Sequence, residues 1–154
     1  MPNFCRHHPL AAWEGIAYAI QTQVHEQDGL SDTPVKHILL VDDDAMVRSC
    51  VREFLELQGY QCTEAQNGAI ALETLAHHSY SLIITDNQMP VMEGIAFLEA
   101  HYDNEERSTP AIMVTGNVTP TLLARATQIG VTSVFEKPCS FDTLLEAIAT
   151  TIEV

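Results

Sequence analysis

The chain has few basic residues. Of its 154 residues only 7 are lysine or arginine, against 21 aspartates and glutamates, which gives a formal net charge of −14. Direct binding of nucleic acid requires a basic patch that contacts the phosphates. The composition therefore argues against DNA or RNA as a partner.

Paired cysteines and long apolar runs are also missing. The four cysteines show no C-x-x-C spacing, which favours reduced thiols in a cytoplasmic protein. No apolar run is long enough to span a bilayer, and Glu14 interrupts the short apolar stretch near the amino terminus that could otherwise serve as a signal peptide. We therefore expect a cytoplasmic protein without a membrane segment.

From residue 35 onward, short apolar runs alternate with helical patterns. This alternation predicts an α/β domain over residues 35–154, built on a doubly wound parallel sheet. Residues 1–34 form a separate extension, in which an apolar stripe predicts an amphipathic helix over residues 11–25. The stripe consists of Trp13, Ile16, Ala17, Ile20 and Val24. Such a helix must bury its stripe, either on its own domain or in a homodimer or partner contact.

Four predicted strands end in polar residues suited to chemistry. These are Asp42 and Asp43 after the first strand, Asp86 after the third, Thr115 after the fourth and Lys137 after the fifth. Open α/β sheets place their ligand sites beyond the carboxyl ends of the strands. Acids gathered there repel one another, and Mg²⁺ would relieve the repulsion because it prefers hard oxygen ligands. A carboxylate nucleophile, a metal, a hydroxyl and an ammonium are the parts that phosphoryl transfer requires.

The loop after Asp86 has a distinctive pattern. Asp86, Met89, Pro90, Met92 and Gly94 fill the spacing D-x-x-M-P-x-M-x-G, in which Pro90 ends the strand and Gly94 can adopt positive φ. This spacing resembles the phosphoacceptor loop of response-regulator receiver domains. The order acid pair, aspartate, threonine and lysine at successive strand ends is similar to that family throughout residues 36–154.

The resemblance implies a fold, a function and a set of partners. The fold would be a five-stranded parallel sheet in the flavodoxin-like order 2-1-3-4-5. The chain would be a two-component or phosphorelay receiver that takes a phosphoryl group from a histidine kinase or a histidine phosphotransfer protein. It would not be an enzyme beyond its own phosphorylation and dephosphorylation. A stand-alone regulator, a relay shuttle and a receiver detached from a hybrid kinase all fit this reading.

The resemblance also implies a role for each site residue. Asp86 would be the phosphoacceptor, and Thr115 and Lys137 would hold phosphate oxygens. Asp43 and Asp86 would bind Mg²⁺ through their side chains, Gln88 through its backbone carbonyl and Asp42 through water.

The output would pass to another protein through the face formed by residues 119–130, 132–136 and 140–152. The chain departs from the family at Val134, where an aromatic residue is common. Strand alternation points Phe135 to the opposite face, so Phe135 cannot replace that aromatic without a register slip.

An alternative from the enzyme class is a haloacid-dehalogenase-like Mg²⁺-dependent phosphatase. In that reading Asp42 is the nucleophile and Asp44 the acid, with Thr115 and Lys137 in support. That family resembles a longer chain with a further acidic pair after the lysine. A third reading, a phosphorylation-independent interaction module, would require a missing catalytic residue, and none is missing.

Overall fold

A computed structural model of the chain describes residues 33–104, 106 and 108–153. The predicted helix over residues 11–25, and nearly all of the predicted extension over residues 1–34, lie outside these residues. The strands are β1 (His37–Val41), β2 (Gln61–Ala65), β3 (Leu82–Thr85), β4 (Ala111–Thr115) and β5 (Ser133–Glu136). The helices are α1 (Ala45–Leu57), α2 (Gly68–His77), α3 (Gly94–Tyr102), α4 (Pro120–Ile129) and α5 (Phe141–Ile152).

The five strands form one parallel sheet in the order β2-β1-β3-β4-β5. This confirms the predicted flavodoxin-like order. β3 is buried along its whole length, because helices cover both faces of the sheet. β2 and β5 lie at the edges and are more exposed, as predicted for the second strand. Each begins one residue later than the sequence pattern predicts.

Strand alternation divides the buried apolar residues into two cores, one on each face of the sheet. From β1, Leu39 and Val41 join the core covered by α2, α3 and α4, whereas Ile38 and Leu40 join the core covered by α1 and α5. Val134 packs against the first core and Phe135 against the second. This confirms that the two residues lie on opposite faces.

Polar side chains start four of the five helices. Asp44, Asn67, Thr119 and Ser140 each accept hydrogen bonds from backbone N–H groups in the first turn that follows. The predicted caps at Asp44, Thr119 and Ser140 are therefore confirmed. Gly130, with φ of 91°, ends α4. Among the described helices, none is long and apolar enough to cross a membrane.

Candidate functional site

The parallel register brings the carboxyl ends of the strands, with their predicted polar residues, to the same end of the sheet. Val41 lies opposite Thr85, and the Asp86 N–H donates to the Val41 carbonyl at 2.8 Å. Asp42 and Asp86 therefore leave neighbouring strands side by side. On the other side, the Lys137 N–H donates to the Thr115 carbonyl at 2.8 Å, which places the lysine beside the end of β4.

Three carboxylates meet at this carboxyl end of the sheet. One oxygen from each of Asp42, Asp43 and Asp86 lies within 4.8 Å of the others. Asp42 and Asp86 are each only 8% exposed, whereas Asp43 is exposed. Like charges held this close in a partly buried site favour a cation. Their hard oxygen donors, open to solvent on the Asp43 side, fit a Mg²⁺ site.

Lys137 balances part of this negative charge. Its Nζ lies 2.8 Å from Asp42 Oδ2 and 3.2 Å from Asp86 Oδ2. Burial by itself would lower the pKa of Lys137, but the hydrogen bonds and negative charges of Asp42 and Asp86 outweigh burial and raise it. The ammonium group is therefore charged at neutral pH and sits between the two buried acids.

The pKa of Asp42 remains raised in spite of this lysine. Burial raises its pKa and the charge of Asp86 adds to the rise, while hydrogen bonds from Lys137 and the Asp44 N–H act in the opposite direction. The direction of the shift means that these hydrogen bonds and the charge of Lys137 do not fully offset the cost of burying the Asp42 charge. A cation bound beside Asp42 would offset more of that cost.

Thr115 supplies a hydroxyl with an unmet hydrogen bond. The residue is fully buried, and within the described part of the chain its Oγ1 has no hydrogen-bond partner. A buried polar group left in this state costs about 1–3 kcal/mol. A hydroxyl of this kind at the end of β4 is suited to a ligand oxygen.

The loop after Asp86 is held by hydrogen bonds from backbone N–H groups to backbone and side-chain oxygens. The Asn87 N–H donates to Asp86 Oδ1 at 2.6 Å, and the Asn87 carbonyl and side chain accept from the N–H groups of Gly94 and Ile95, each at 2.9 Å. Further along the loop, the Gly68 N–H donates to the Met92 carbonyl at 3.1 Å. The loop is thus tied to both α3 and α2. Gln88 lies exposed in this loop, two residues beyond Asp86.

The reason for a glycine at position 94 differs from the predicted one. Gly94 does not have positive φ, and the positive φ of 70° belongs to Val91. A Cβ on Gly94 would instead lie 2.1 Å from the Asp86 carbonyl oxygen. The glycine is therefore required by close backbone approach. Met89 is buried in the core, which confirms its predicted packing role.

Sequence reasoning missed three residues of the site. Asn87 holds the loop, Gly68 anchors it, and Arg48 donates both to the Asp42 carbonyl and, at 3.2 Å, to Glu64 Oε1. The position of Arg48, one turn after the Asp44 cap, was the only available signal. The partners of Asn87 and Gly68 lie on other elements, so their roles depend on tertiary structure.

The phosphatase alternative finds no support in this geometry. It requires Asp44 as an acid, but the Asp44 carboxylate accepts hydrogen bonds from the N–H groups of Met46 and Val47 at 2.9 and 3.3 Å. Asp44 is also not a member of the acidic cluster. Its side chain is the cap of α1.

Comparison with known proteins gives a consistent result. Residues 38–149 match the family model described as the response regulator receiver domain. The chain is 34% identical over 116 residues to the chemotaxis protein CheY of Bacillus subtilis, which covers 75% of this chain and 96% of that protein. Its structure matches that of the chemotaxis response regulator CheY4 of Vibrio cholerae with a TM-score of 0.71 and 29% identity, covering 77% of this chain and 99% of that one.

Some similar proteins are much longer. The chain is 30% identical over 116 residues to the CAI-1 autoinducer sensor kinase/phosphatase CqsS of Vibrio cholerae, which covers 74% of this chain but only 17% of that protein. The chain likewise spans 51% and 20% of the lengths of two transcriptional regulators that it matches. The same kind of domain therefore occurs as one part of larger proteins.

Proposed function

Because this chain belongs to the response-regulator receiver-domain family, we propose that it is a phosphoacceptor of a two-component or phosphorelay system, with Asp86 as the acceptor. Receiver domains are signalling modules, not classical enzymes, and they interact with histidine kinases and downstream effectors. The phosphoryl donor would be a histidine kinase or a histidine phosphotransfer protein. The observation that carries this proposal is the convergence of Asp42, Asp43 and Lys137 on Asp86.

In the proposed transfer, an oxygen of the Asp86 carboxylate attacks the phosphorus of the phosphohistidine. A phosphorus–oxygen bond forms, the phosphorus–nitrogen bond breaks, and the imidazole leaves. The Asn87 N–H, 2.6 Å from Asp86 Oδ1, orients the carboxylate. Lys137 moves from carboxylate to phosphoryl oxygens, and the Thr115 hydroxyl donates the hydrogen bond that it lacks among the described residues.

The acidic cluster would hold Mg²⁺ during this reaction. Asp43 and Asp86 would bind it through their side chains, Gln88 through its carbonyl and Asp42 through water. When bound, Mg²⁺ would neutralise negative charge on the acids and on the phosphoryl oxygens.

The output of the phosphorylated form would be a protein contact. With a net charge of −14, the chain is unsuited to contact nucleic acid phosphates. We place the contact on the face formed by α4, β5 and α5, the face implied by the family resemblance. Among the described residues of these three elements, Leu123 of α4 is the one large apolar side chain that is exposed.

The metal requirement can be tested with acetyl phosphate as a small phosphoryl donor. We expect the chain to gain one acid-labile phosphoryl group in the presence of Mg²⁺ and none after chelation. Asp43→Ala should lower the labelling rate at least about tenfold, because one missing ligand typically costs more than about 1.4 kcal/mol. Intact-mass spectrometry measures the product.

Asp44→Ala is the matched control. It removes the neighbouring acid, which caps α1 and lies outside the cluster, so it should cost about 1 kcal/mol of stability and leave labelling intact. Labelling that needs no Mg²⁺, or that survives in Asp43→Ala, would contradict the proposed metal site.

The conformational response can be mapped with beryllofluoride, which mimics a phosphoryl group at Asp86. Because Val134 is not aromatic, we expect small amide shifts in β5 and larger ones at residues 116–120, where Thr115 transmits its movement, and along α5. Amide NMR spectra with and without the mimic measure this. Shifts confined to the loop after Asp86 would contradict a switch and indicate a phosphate store in a relay.

A further inference from the structure

Arg48 of α1 contacts the backbone of residues 42–44, which we call the acidic turn. Its Nη1 donates to the Asp42 carbonyl, and its Nε donates to Glu64 Oε1 at 3.2 Å. Long side chains of a helix point towards its amino terminus, so an arginine near the start of α1 can reach back to a residue before the helix. The Arg48 side chain is only 14% exposed. Its guanidinium is therefore held between β2 and the acidic turn.

The strand that anchors Arg48 also holds the start of the acidic turn. Glu64 lies on β2 next to Ala65, and the Ala65 carbonyl accepts from the Asp42 N–H at 3.2 Å. The Asp42 N–H and carbonyl are thus both tied to β2, the N–H directly and the carbonyl through Arg48 and Glu64. Arg48 therefore connects the acidic turn to a strand that is already fixed beside it.

The direction of the Asp43 carboxylate depends on this backbone, because the side chain is exposed. The peptide before Asp43 carries the Asp42 carbonyl, which accepts from Arg48. The peptide after Asp43 carries the Asp44 N–H, which donates to Asp42 Oδ1 at 2.9 Å. Each flanking peptide is therefore held by a hydrogen bond. Of these two bonds, the one from Arg48 comes from outside the acidic turn.

Arg48 can influence a cation at the acidic cluster in two ways, and these have opposite signs. As a positive charge it repels the cation and lowers the affinity of the site. As the donor that holds the peptide between Asp42 and Asp43 it keeps the Asp43 carboxylate in place and raises the affinity. Removal of the side chain therefore shows which effect is larger.

We infer that Arg48 is a positioning residue of the proposed Mg²⁺ site, with Glu64 as the anchor of its guanidinium. The inference rests on the proposed function, which places Mg²⁺ on the acidic cluster. Arg48 would not contact the cation. It would keep the Asp43 carboxylate beside those of Asp42 and Asp86, where one oxygen of each lies within 4.8 Å of the others, before the cation binds.

Titration of Arg48→Met with Mg²⁺ tests this role. Methionine keeps an unbranched apolar stem but makes neither hydrogen bond, and Glu64 retains Arg52 as a partner at 2.6 Å. We expect the variant to bind Mg²⁺ at least about tenfold more weakly than the native chain, as is typical when a partner of a metal ligand is lost. Loss of charge repulsion alone would instead raise the affinity, on the order of twofold. Isothermal titration calorimetry of the full chain measures the dissociation constant.

Arg52→Met is the matched control. Arg52 lies one turn further along α1 and donates to the other oxygen of Glu64, and its other ion pair among the described residues, at 3.9 Å, is with Glu56. The variant loses the same charge but no contact with the acidic turn, so its dissociation constant should change by less than about twofold. Urea denaturation without metal measures the stability of each variant. A merely structural role of Arg48 would lower that stability and leave the Mg²⁺ affinity of the folded chain unchanged.

Arg48→Lys provides a second variant that keeps the positive charge. Its single nitrogen cannot replace both Nε and Nη1, so it should bind Mg²⁺ at least about threefold more weakly than the native chain. Native or higher affinity in Arg48→Met would overturn the inference, and so would that result in Arg48→Lys if Arg48→Met does not fold. An equal loss in Arg52→Met would also overturn it. A native chain that binds no Mg²⁺ would overturn the proposed metal site itself, a result distinct from these.

Discussion

Replacing Asp86 by asparagine should abolish labelling of the chain by acetyl phosphate. The amide keeps the shape of the side chain and can still accept the hydrogen bond from Asn87, but it is a far poorer nucleophile than a carboxylate. We expect the stoichiometry to fall from one phosphoryl group per chain to none. Intact-mass spectrometry in the presence of Mg²⁺ measures it.

The loss should not reflect unfolding. Asp86→Asn removes one of the three mutually repelling carboxylates, and Lys137 retains its contact with Asp42 at 2.8 Å. The variant should therefore melt at or above the temperature of the native chain in metal-free buffer. Asp103→Asn, at the end of α3, is the control and should label normally. Full labelling of Asp86→Asn would show that the nucleophile is another residue, with Asp42 the first to examine.

Gly94→Ala should destabilise the fold severely. An added Cβ would lie 2.1 Å from the Asp86 carbonyl oxygen and 3.1 Å from the Asn87 Cα, and both are backbone atoms that cannot turn aside. Relief requires displacement of the loop or of the start of α3. We expect a loss of about 3 kcal/mol or more in the free energy of unfolding, measured by urea denaturation.

Gly116→Ala is the matched control for this substitution. Gly116 has no positive φ, and a Cβ there would meet nothing within 4 Å. The change should therefore alter the free energy of unfolding by less than about 1 kcal/mol, with either sign. Similar losses in the two variants would show that close approach at Gly94 is not what the position requires.

The features predicted correctly from the sequence are those with local causes. Asp44, Thr119 and Ser140 cap helices that begin immediately after them, and this needs only a few neighbouring residues. The ends of β1, β3, β4 and β5 were also predictable, because an apolar run that stops at a polar residue marks a strand end. The parallel sheet then brings those residues together at the carboxyl end of its strands.

The features that were missed depend on contacts between distant elements. Gly68 matters because the Met92 carbonyl approaches it, and a Cβ there would lie 2.7 Å from that oxygen. Nothing in the sequence around Gly68 indicates that neighbour. Positive φ was predicted for Gly94, whereas the structure has it at Val91. A position can require glycine because its φ is positive or because there is no space for a Cβ, and only the packing distinguishes the two causes.

The two anchors of the loop after Asp86 have a consequence for its conformational entropy. The loop is bound at Asn87 by the N–H groups of Gly94 and Ile95, and at Met92 by that of Gly68. Fixing the backbone of one residue costs about 1–2 kcal/mol, so ordering residues 88–92 costs roughly 5–10 kcal/mol. This entropy is lost on folding, before any ligand binds. In the proposed transfer, a phosphoryl donor would therefore meet a loop that is already ordered, and its binding energy would be free to align the phosphorus with Asp86.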